Sequence, residues 1–448
     1  MVLIAPFESR PSDTAATYFA QTLTEDLTSV LSSTHAVRVV GPGSTLAATQ
    51  VIRGSVLRAR DVVRISARVE RAGTREVRWT GRFDGPVSNL QLLHDSLITE
   101  VASALGLPAR ATSARRRMVD PAAYDLWLRA HYLVPRRRQE DEAEAAALLG
   151  RALALDSAFA PAWADLARDL RWARRFGFSI PGIPTDSLLP RMLDASERAV
   201  VLDSTNPDTW RLRANVATVV DPTSSSLGLA ALRRALLLDS LDAQTWDEYA
   251  LALEDSRAPE AAEAAWRRAV ELDPHRPYGL FVQHWIWARR YDSAAVWAEH
   301  AVTEDPTLMF LREGVGEVAL AQGQLGKAEA AYEAALRLGT GPDQVRGLGG
   351  LAIVAARLGD TARARSLIAR DEAVTDSAAP TLHAAVSIAE AYVAIGAPDR
   401  ALAWLRRYQP RGDLHFQVHL ARDPTLDTLR ADPRFQALLV PPPAGAPR

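Results

Sequence analysis

His415 and His419 stand four residues apart, so a helix would present both imidazoles on one face, as in a two-histidine metal site. No glutamate lies between them, and the nearest carboxylates are Asp413 and Asp423, so the pair reads as loop or capping residues. His35, His94, His131, His275, His284, His300 and His383 are scattered and read as surface or packing residues. Gly347, Gly349 and Gly350 have the composition of a phosphate cradle. A helical run, Leu351–Arg357, follows them with no strand before it and no Gly-Lys-Ser/Thr, so close helix packing is the better reading. Gly323-Gln-Leu-Gly326-Lys327 misses the P-loop spacing and reads as an inter-helix turn. No Gly-x-Ser-x-Gly elbow occurs. The absence of cysteine removes disulfides, thiolate metal sites and cysteine nucleophiles. Trp285 and Trp287 are two apart, so a helix cannot turn both inward, and one of them is expected to face a groove or a neighbouring chain. No acid–base or nucleophilic constellation can be assembled, so the expectation is a protein that is not an enzyme and has no metal or cofactor.

Composition narrows the class. The 448 residues are 48% hydrophobic and 24% charged, the balance of a chain that folds. A net charge of −2 argues against a strongly basic nucleic-acid binder, and no direct nucleic-acid contact is expected. Residues 1–110 carry +2, residues 111–140 carry +4 and residues 141–448 carry −8. The basic excess sits in Arg115-Arg116-Arg117 and Arg136-Arg137-Arg138, read as solvated charge at a domain junction. Lys327 is the only lysine. There is no apolar run of about 18 residues, so no membrane insertion is expected. Met1-Val-Leu-Ile-Ala is followed at once by Pro6, Phe7, Glu8 and Ser9, which does not read as a secretory signal.

The first 110 residues alternate between strand and helix patterns. Strands are expected at Val2–Phe7, Val37–Val40, Val51–Leu57, Val62–Val69 and Val77–Phe83. Arg60-Asp61 and Arg71-Ala-Gly-Thr74 are short enough to make the last three an antiparallel meander, and Gly41-Pro-Gly43 closes the second strand. Tyr18, Phe19, Leu23, Leu27, Val30 and Leu31 recur at helical spacing after Asp13 or Thr14 as N-cap. A second helix is expected over Asn89–Leu105, ended by Gly106 and Pro108. Two helices on one face of a mostly antiparallel sheet make an α+β domain. Pro6-Phe7, Tyr18-Phe19, Leu23-Thr24, Gly54-Ser55-Val56, Val63-Arg64, Trp79 and the final helix fall in the order of the TolB-like amino-terminal domain of bacterial signalling proteins, which residues 1–107 resemble. That family has a further short helix between its second and third strands. Here only residues 44–50 fill the place, which puts any ligand contact built by that helix in question. In the family this domain follows a kinase, cyclase or winged-helix output domain, and this sequence shows none.

The rest repeats. Related segments end at Trp163, Trp210, Trp246 and Leu280, and a shared aspartate recurs at Asp156, Asp203, Asp239, Asp273 and Asp305, with Gly339 next. The intervals are 47, 36, 34, 32 and 34, and the long first one holds an insertion at residues 176–185. A period near 34 marks tetratricopeptide (TPR) repeats, helical hairpins in series. Residues 244–274 show the pattern best, with Trp246, Tyr249, Ala250 and Leu253 on a first helix and Ala262, Trp266 and Ala269 on a second. Residues 121–410 are expected to hold about eight helix pairs, as a superhelical solenoid with a concave surface. Residues 111–120 read as an Arg-rich linker, 411–440 as capping helices, and the Pro-rich residues 441–448 as a disordered tail. In similar TolB-plus-repeat proteins a segment like Asp423–Leu439 closes the chain.

What the TPR resemblance implies is a groove lined by non-packing residues of first helices. For two units these are Asp208, Arg211, Asn215 and Thr218, then Gln244, Asp247, Leu251 and Glu254. Peptide-carboxylate binders of this family use a Lys/Asn/Arg clamp, part of which Arg211 and Asn215 match. Asp247 and Glu254 repel a carboxylate, so an Arg-bearing or mixed partner is expected. The expectation is a non-catalytic interaction scaffold or sensory module of bacterial signalling, holding a protein or peptide in the TPR groove. The alternative is the regulatory region of a kinase, adenylate cyclase or transcriptional regulator. A homo-oligomer is compatible with either. The expected compartment is cytoplasmic, or extracytoplasmic if a membrane-anchored output domain preceded the chain.

Overall fold

A computed structural model describes residues 1–9, 13–34, 36–37, 39–40, 48–59, 61–107, 117–134, 139–176, 179–220, 226–274, 276, 278–306, 308–339, 344–376, 382–408 and 414–440. The Gly41-Pro-Gly43 turn, Pro108, His35, His275, Arg115, Arg116, Arg136–Arg138, Asp413 and the tail at 441–448 lie outside the described residues. The chain divides into two compact units, Met1–Val216 and Ala217–Arg448.

The first unit begins with a five-stranded sheet in the order β2-β1-β3-β4-β5. Strand β1 (Val2–Ile4) pairs in parallel with both β2 (Val39–Val40) and β3 (Gln50–Ala59), while β3, β4 (Val62–Arg71) and β5 (Val77–Pro86) form an antiparallel meander. The period of two decides which side is buried. Val63, Ile65, Ala67 and Val69 of β4 are buried, and Arg64 and Arg68 are exposed. Helices α1 (Thr14–Ser33) and α2 (Leu90–Ala104) bring Phe19, Leu23, Leu27, Leu31, Leu97 and Val101 into one apolar cluster with those residues. Asp13 caps α1 by accepting from the Ala16 N–H at 3.0 Å.

Helices α3 (Pro121–Leu133), α4 (Gln139–Leu155), α5 (Ala160–Phe176), α6 (Leu188–Leu202) and α7 (Pro207–Val220) follow. Asp120 caps α3 and Pro121 opens it, since proline's missing N–H is no loss in a first turn. Tyr124, Trp127, Leu149 and Phe159 join the same apolar cluster as the sheet and its helices. Polar bonds cross there too. His94 lies 2.7 Å from the Tyr124 hydroxyl and 3.1 Å from Asp26. Asp165 accepts from Trp127 Nε1 at 2.8 Å and pairs with His131 Nδ1 at 2.7 Å, while His131 Nε2 is 3.4 Å from Glu25. Two of the histidines that looked merely scattered therefore join α1 and α2 to the first repeat helices. Arg117, from the basic connector, forks onto Asp156 at 2.9 and 2.7 Å.

The second unit contains α8 (Ser226–Leu238), α9 (Ala243–Asp255), α10 (Pro259–Leu272), α11 (Gly279–Trp287), α12 (Tyr291–Glu304), α13 (Met309–Ala321), α14 (Leu325–Leu338), α15 (Val345–Arg357), α16 (Thr361–Asp376), α17 (Leu382–Ala394) and α18 (Pro398–Tyr408). Counted from α3 among the described residues, the helices fall in chain order into eight successive pairs of all-α TPR type after the α+β sheet domain. Small residues let paired helices approach: Ala250 and Ala262 are both fully buried, with Trp266 beside them. The glycines of α15 serve packing, because a Cβ at Gly350 would overlap the Tyr332 ring and one at Gly349 the Ser387 side chain. First helices end in the left-handed region, at Gly323, Gly359 and Gly396 in the last three of these turns. Arg257 (φ 59°) and Arg289 (φ 57°) hold the same place in two earlier pairs. The chain continues through α19 (Leu414–Arg422), a 3-10 segment (Pro424–Leu429) and α20 (Pro433–Gln436). Among the described residues, no helix is long and apolar enough to cross a membrane.

Candidate functional site

Second-unit helices enclose a cavity of about 230 Å³, lined by residues of α11, α13, α14, α15 and α17 and by His419, Asp423 and Thr425. The repeat frame decides what points into it. The residue six before each left-handed turn is Leu251, Gln283, Glu317, Ile353 and Glu390 in succession. The last four line the cavity.

Two charged groups dominate. Arg346 of α15 reaches Glu317 directly and lies 3.6 Å from the buried Glu313. Burial opposes the guanidinium's charge, but Glu317 and Glu313 outweigh it and raise its pKa. The second group joins residues from three segments. His419 Nε2 is 2.8 Å from Asp423 Oδ2, and the Thr425 N–H donates to Asp423 Oδ1 at 2.8 Å, capping the 3-10 segment. One ligand atom from each of Glu390, His419 and Asp423 lies within 4.8 Å of the others. Burial, with the adjacent Asp423 charge, pushes the Glu390 carboxyl well up. Burial would raise Asp423 too, but the His419 hydrogen bond and charge bring it below the usual carboxylate range. Such a set can share a proton, and its donor types are those that ligate divalent cations. It presents no activated nucleophile.

The sequence-derived residues separate into two places. On α7, Arg211 pairs with Asp208 at 2.6 Å, Asn215 is half-buried and Thr218 is exposed. On α9, Gln244 donates to Glu248 at 3.1 Å and Leu251 is half-buried. Asp247 accepts from Trp266 Nε1 at 2.9 Å, and burial raises its pKa. Its carboxylate thus anchors a core tryptophan. Glu254 is 1% exposed and meets Arg422 and His284. Trp285 and Trp287 point to different neighbours, as two-residue spacing requires. Trp285 enters the α9–α12 core, whereas Trp287 faces His415 and His419 of α19, and both are buried. Glu313, Glu317, Arg346 and Glu390 were not singled out from sequence. Carrying the α9 frame forward to each later turn would have found all four, with Arg346 at the Gln244 position, Glu313 at the Asp247 position and Glu317 and Glu390 at the Leu251 position.

No protein-family model matches the chain. Over 186 residues it is 27% identical to a putative adenylate cyclase 3 of Rhizobium meliloti (strain 1021). That match covers 37% of this chain and 32% of the cyclase, so the chain spans about a third of the length of this curated relative. Among solved structures it is similar to a monomeric IFIT1 mutant with Gppp-AAAA (TM-score 0.45, 14% identity, 71% of this chain and 76% of that one). It is also similar to yeast Tom70 (TM-score 0.44, 15% identity, 78% and 76%) and to PilF of Pseudomonas aeruginosa (TM-score 0.35, 18% identity, 49% and 98%).

Proposed function

We propose that the chain is a non-catalytic interaction module of bacterial signalling, in which the inner surface of the second unit holds a segment of a partner protein. The observation that carries this reading is the cavity presented by successive first helices, with Gln283, Glu317 and Glu390 at equivalent repeat positions. The arginines lining it are already engaged: Arg346 is held by Glu313 and Glu317, Arg289 by Asp427, and Arg357 donates to the Leu320 carbonyl at 2.6 Å. A segment carrying Arg or mixed charge suits such a surface better than one ending in a free carboxylate. The TolB-like domain would be a second recognition module. The test is co-purification of native partners identified by mass spectrometry, with wild-type chain and with Glu317→Gln/Glu390→Gln. Loss of a specific partner from the double variant supports the reading, and retention of every partner counts against the cavity.

A second reading is the regulatory region of a signalling enzyme. The 27% identity with part of a putative adenylate cyclase favours a cyclase over a kinase or winged-helix regulator. Genomic sequence upstream of Met1 decides it. An in-frame output domain there supports this reading, and a ribosome-binding site supports a free-standing scaffold.

A further inference from the structure

The inner surface of the second unit already carries a helix. The Arg422 guanidinium of α19 meets the buried Glu254 carboxylate, whose other oxygen lies 3.0 Å from His284 Nδ1. His415 Nδ1 is 2.7 Å from Asp255 Oδ1. The His415 and His419 rings lie 6.0 and 5.2 Å from the Trp287 ring, and Arg422 lies over the same ring at 5.5 Å. Arg289, two residues beyond Trp287, grips Asp427 at 2.8 and 2.7 Å. It does so from a left-handed backbone where three later repeats have glycine. A non-glycine residue in that conformation is unfavourable, and here its side chain ties the chain's end to the repeats.

The opposite side of α19 is different in kind. Phe416 and Leu420 join an apolar cluster with Ala385, Ala401, Leu405 and Phe435. Among the described residues, no apolar cluster contains side chains of both α19 and α9–α11. Apolar burial therefore fastens α19 to α17 and α18, while ion pairs and ring contacts hold it to α9 and α11. The Coulomb gain of a buried ion pair roughly cancels its desolvation cost. Equivalent groups from another molecule can thus replace those contacts with little net change, which is not true of the apolar side.

We propose that Glu254, Asp255 and Trp287 form a seat for a helical segment of a partner protein, and that α19 occupies this seat as an internal ligand until that segment displaces it. The partner helix carries Arg at one position and His or another ring-stacking residue three and seven positions before it, the spacing of His415, His419 and Arg422. This rests on the reading that the inner surface binds a protein segment, and adds the chemistry of that segment and what it competes with. An internal ligand acts at an effective concentration of about millimolar, so the seat stays closed to weak or dilute competitors.

The probe is a fluorescein-labelled peptide of residues 414–430, and binding to the full-length chain is read by fluorescence anisotropy. The Arg422→Glu chain, in which the seat repels α19, should bind the probe about tenfold or more tighter than wild type. A probe bearing Arg422→Glu should not bind it. The Glu254→Arg/Arg422→Glu chain, whose seam recloses with charges reversed, should bind the probe weakly, and its circular dichroism and melting temperature should match wild type and report that the fold survives. The chain has no native cysteine, so Asp255→Cys with His415→Cys in the Arg422→Glu background can be bridged by a short bismaleimide, which should abolish binding. Equal probe affinity for open and wild-type chains, indifference to the peptide arginine, or binding that survives the bridge would each overturn the proposal. If partners are nevertheless lost from Glu317→Gln/Glu390→Gln, the broader interaction function stands and only the seat is wrong. If those partners are also retained, both readings fail.

Discussion

Arg346 offers the sharpest test of how the second unit is held. Its guanidinium is shared by Glu317 and Glu313, and Glu313 is 1% exposed. Replacing Arg346 with methionine roughly keeps the side-chain volume but leaves the buried Glu313 carboxylate without its cation, and Glu317, a quarter exposed, without its partner. Breaking a buried ion pair by removing one partner costs about 3–5 kcal/mol, because the remaining charge is uncompensated. Replacing the whole set with neutral groups is commonly close to neutral. Arg346→Met should therefore lose about 3–5 kcal/mol of unfolding free energy, and Arg346→Met/Glu313→Gln/Glu317→Gln should recover most of it. The single variant should also gain stability relative to wild type as pH falls and its two carboxylates take up protons. Urea unfolding, followed by circular dichroism and by tryptophan fluorescence across pH 4.5–8, measures both effects. Two probes are needed because repeat arrays can lose two-state behaviour. A loss under about 1 kcal/mol, or a triple variant no better than the single one, would mean that the guanidinium merely fills space.

Other outcomes follow from particular contacts. Gly350→Ala would drive a methyl into the Tyr332 ring and should cost about 1–3 kcal/mol by overpacking, whereas Gly326→Ala, where a Cβ meets nothing, should be stable in the same urea assay. Burial by itself would lower the His131 pKa, but Asp165 and Glu25 raise it to about 10. Its contribution to stability is thus fully present below the unfolded value of 6.5 and is lost as pH rises through about 10. His131→Gln should flatten the fall in melting temperature over pH 7–10, and an NMR titration of the His131 ring with a midpoint near 6.5 would contradict this. Arg257 is exposed in a left-handed turn, and Arg257→Gly should raise stability by about 0.5–1 kcal/mol by relieving its backbone. A destabilised Arg257→Gly chain would show that the side chain makes a contact worth more than the strain.

The local pattern carried most of the fold. Alternation in residues 51–83 set the meander, Asp13 set the start of α1, and the spacing of Asp156, Asp203, Asp239, Asp273 and Asp305 set where hairpins end. These are legible because each depends on neighbours within one strand, one turn or one repeat of about 34 residues. The same frame places Leu251, Gln283, Glu317, Ile353 and Glu390 at one repeat position, so part of the cavity wall was written in the sequence. What α19 and the 3-10 segment after it touch was not. His415 meets Asp255, Arg422 meets Glu254 and Arg289 meets Asp427 across 160, 168 and 138 residues. Those meetings depend on small rotations summed over several repeats, and no local pattern encodes that sum. Glu254 looked like a solvated groove residue because its sequence neighbourhood is exposed-helix in character. Only tertiary structure, by laying the chain's own end against it, removed that carboxylate from water and gave it a cation.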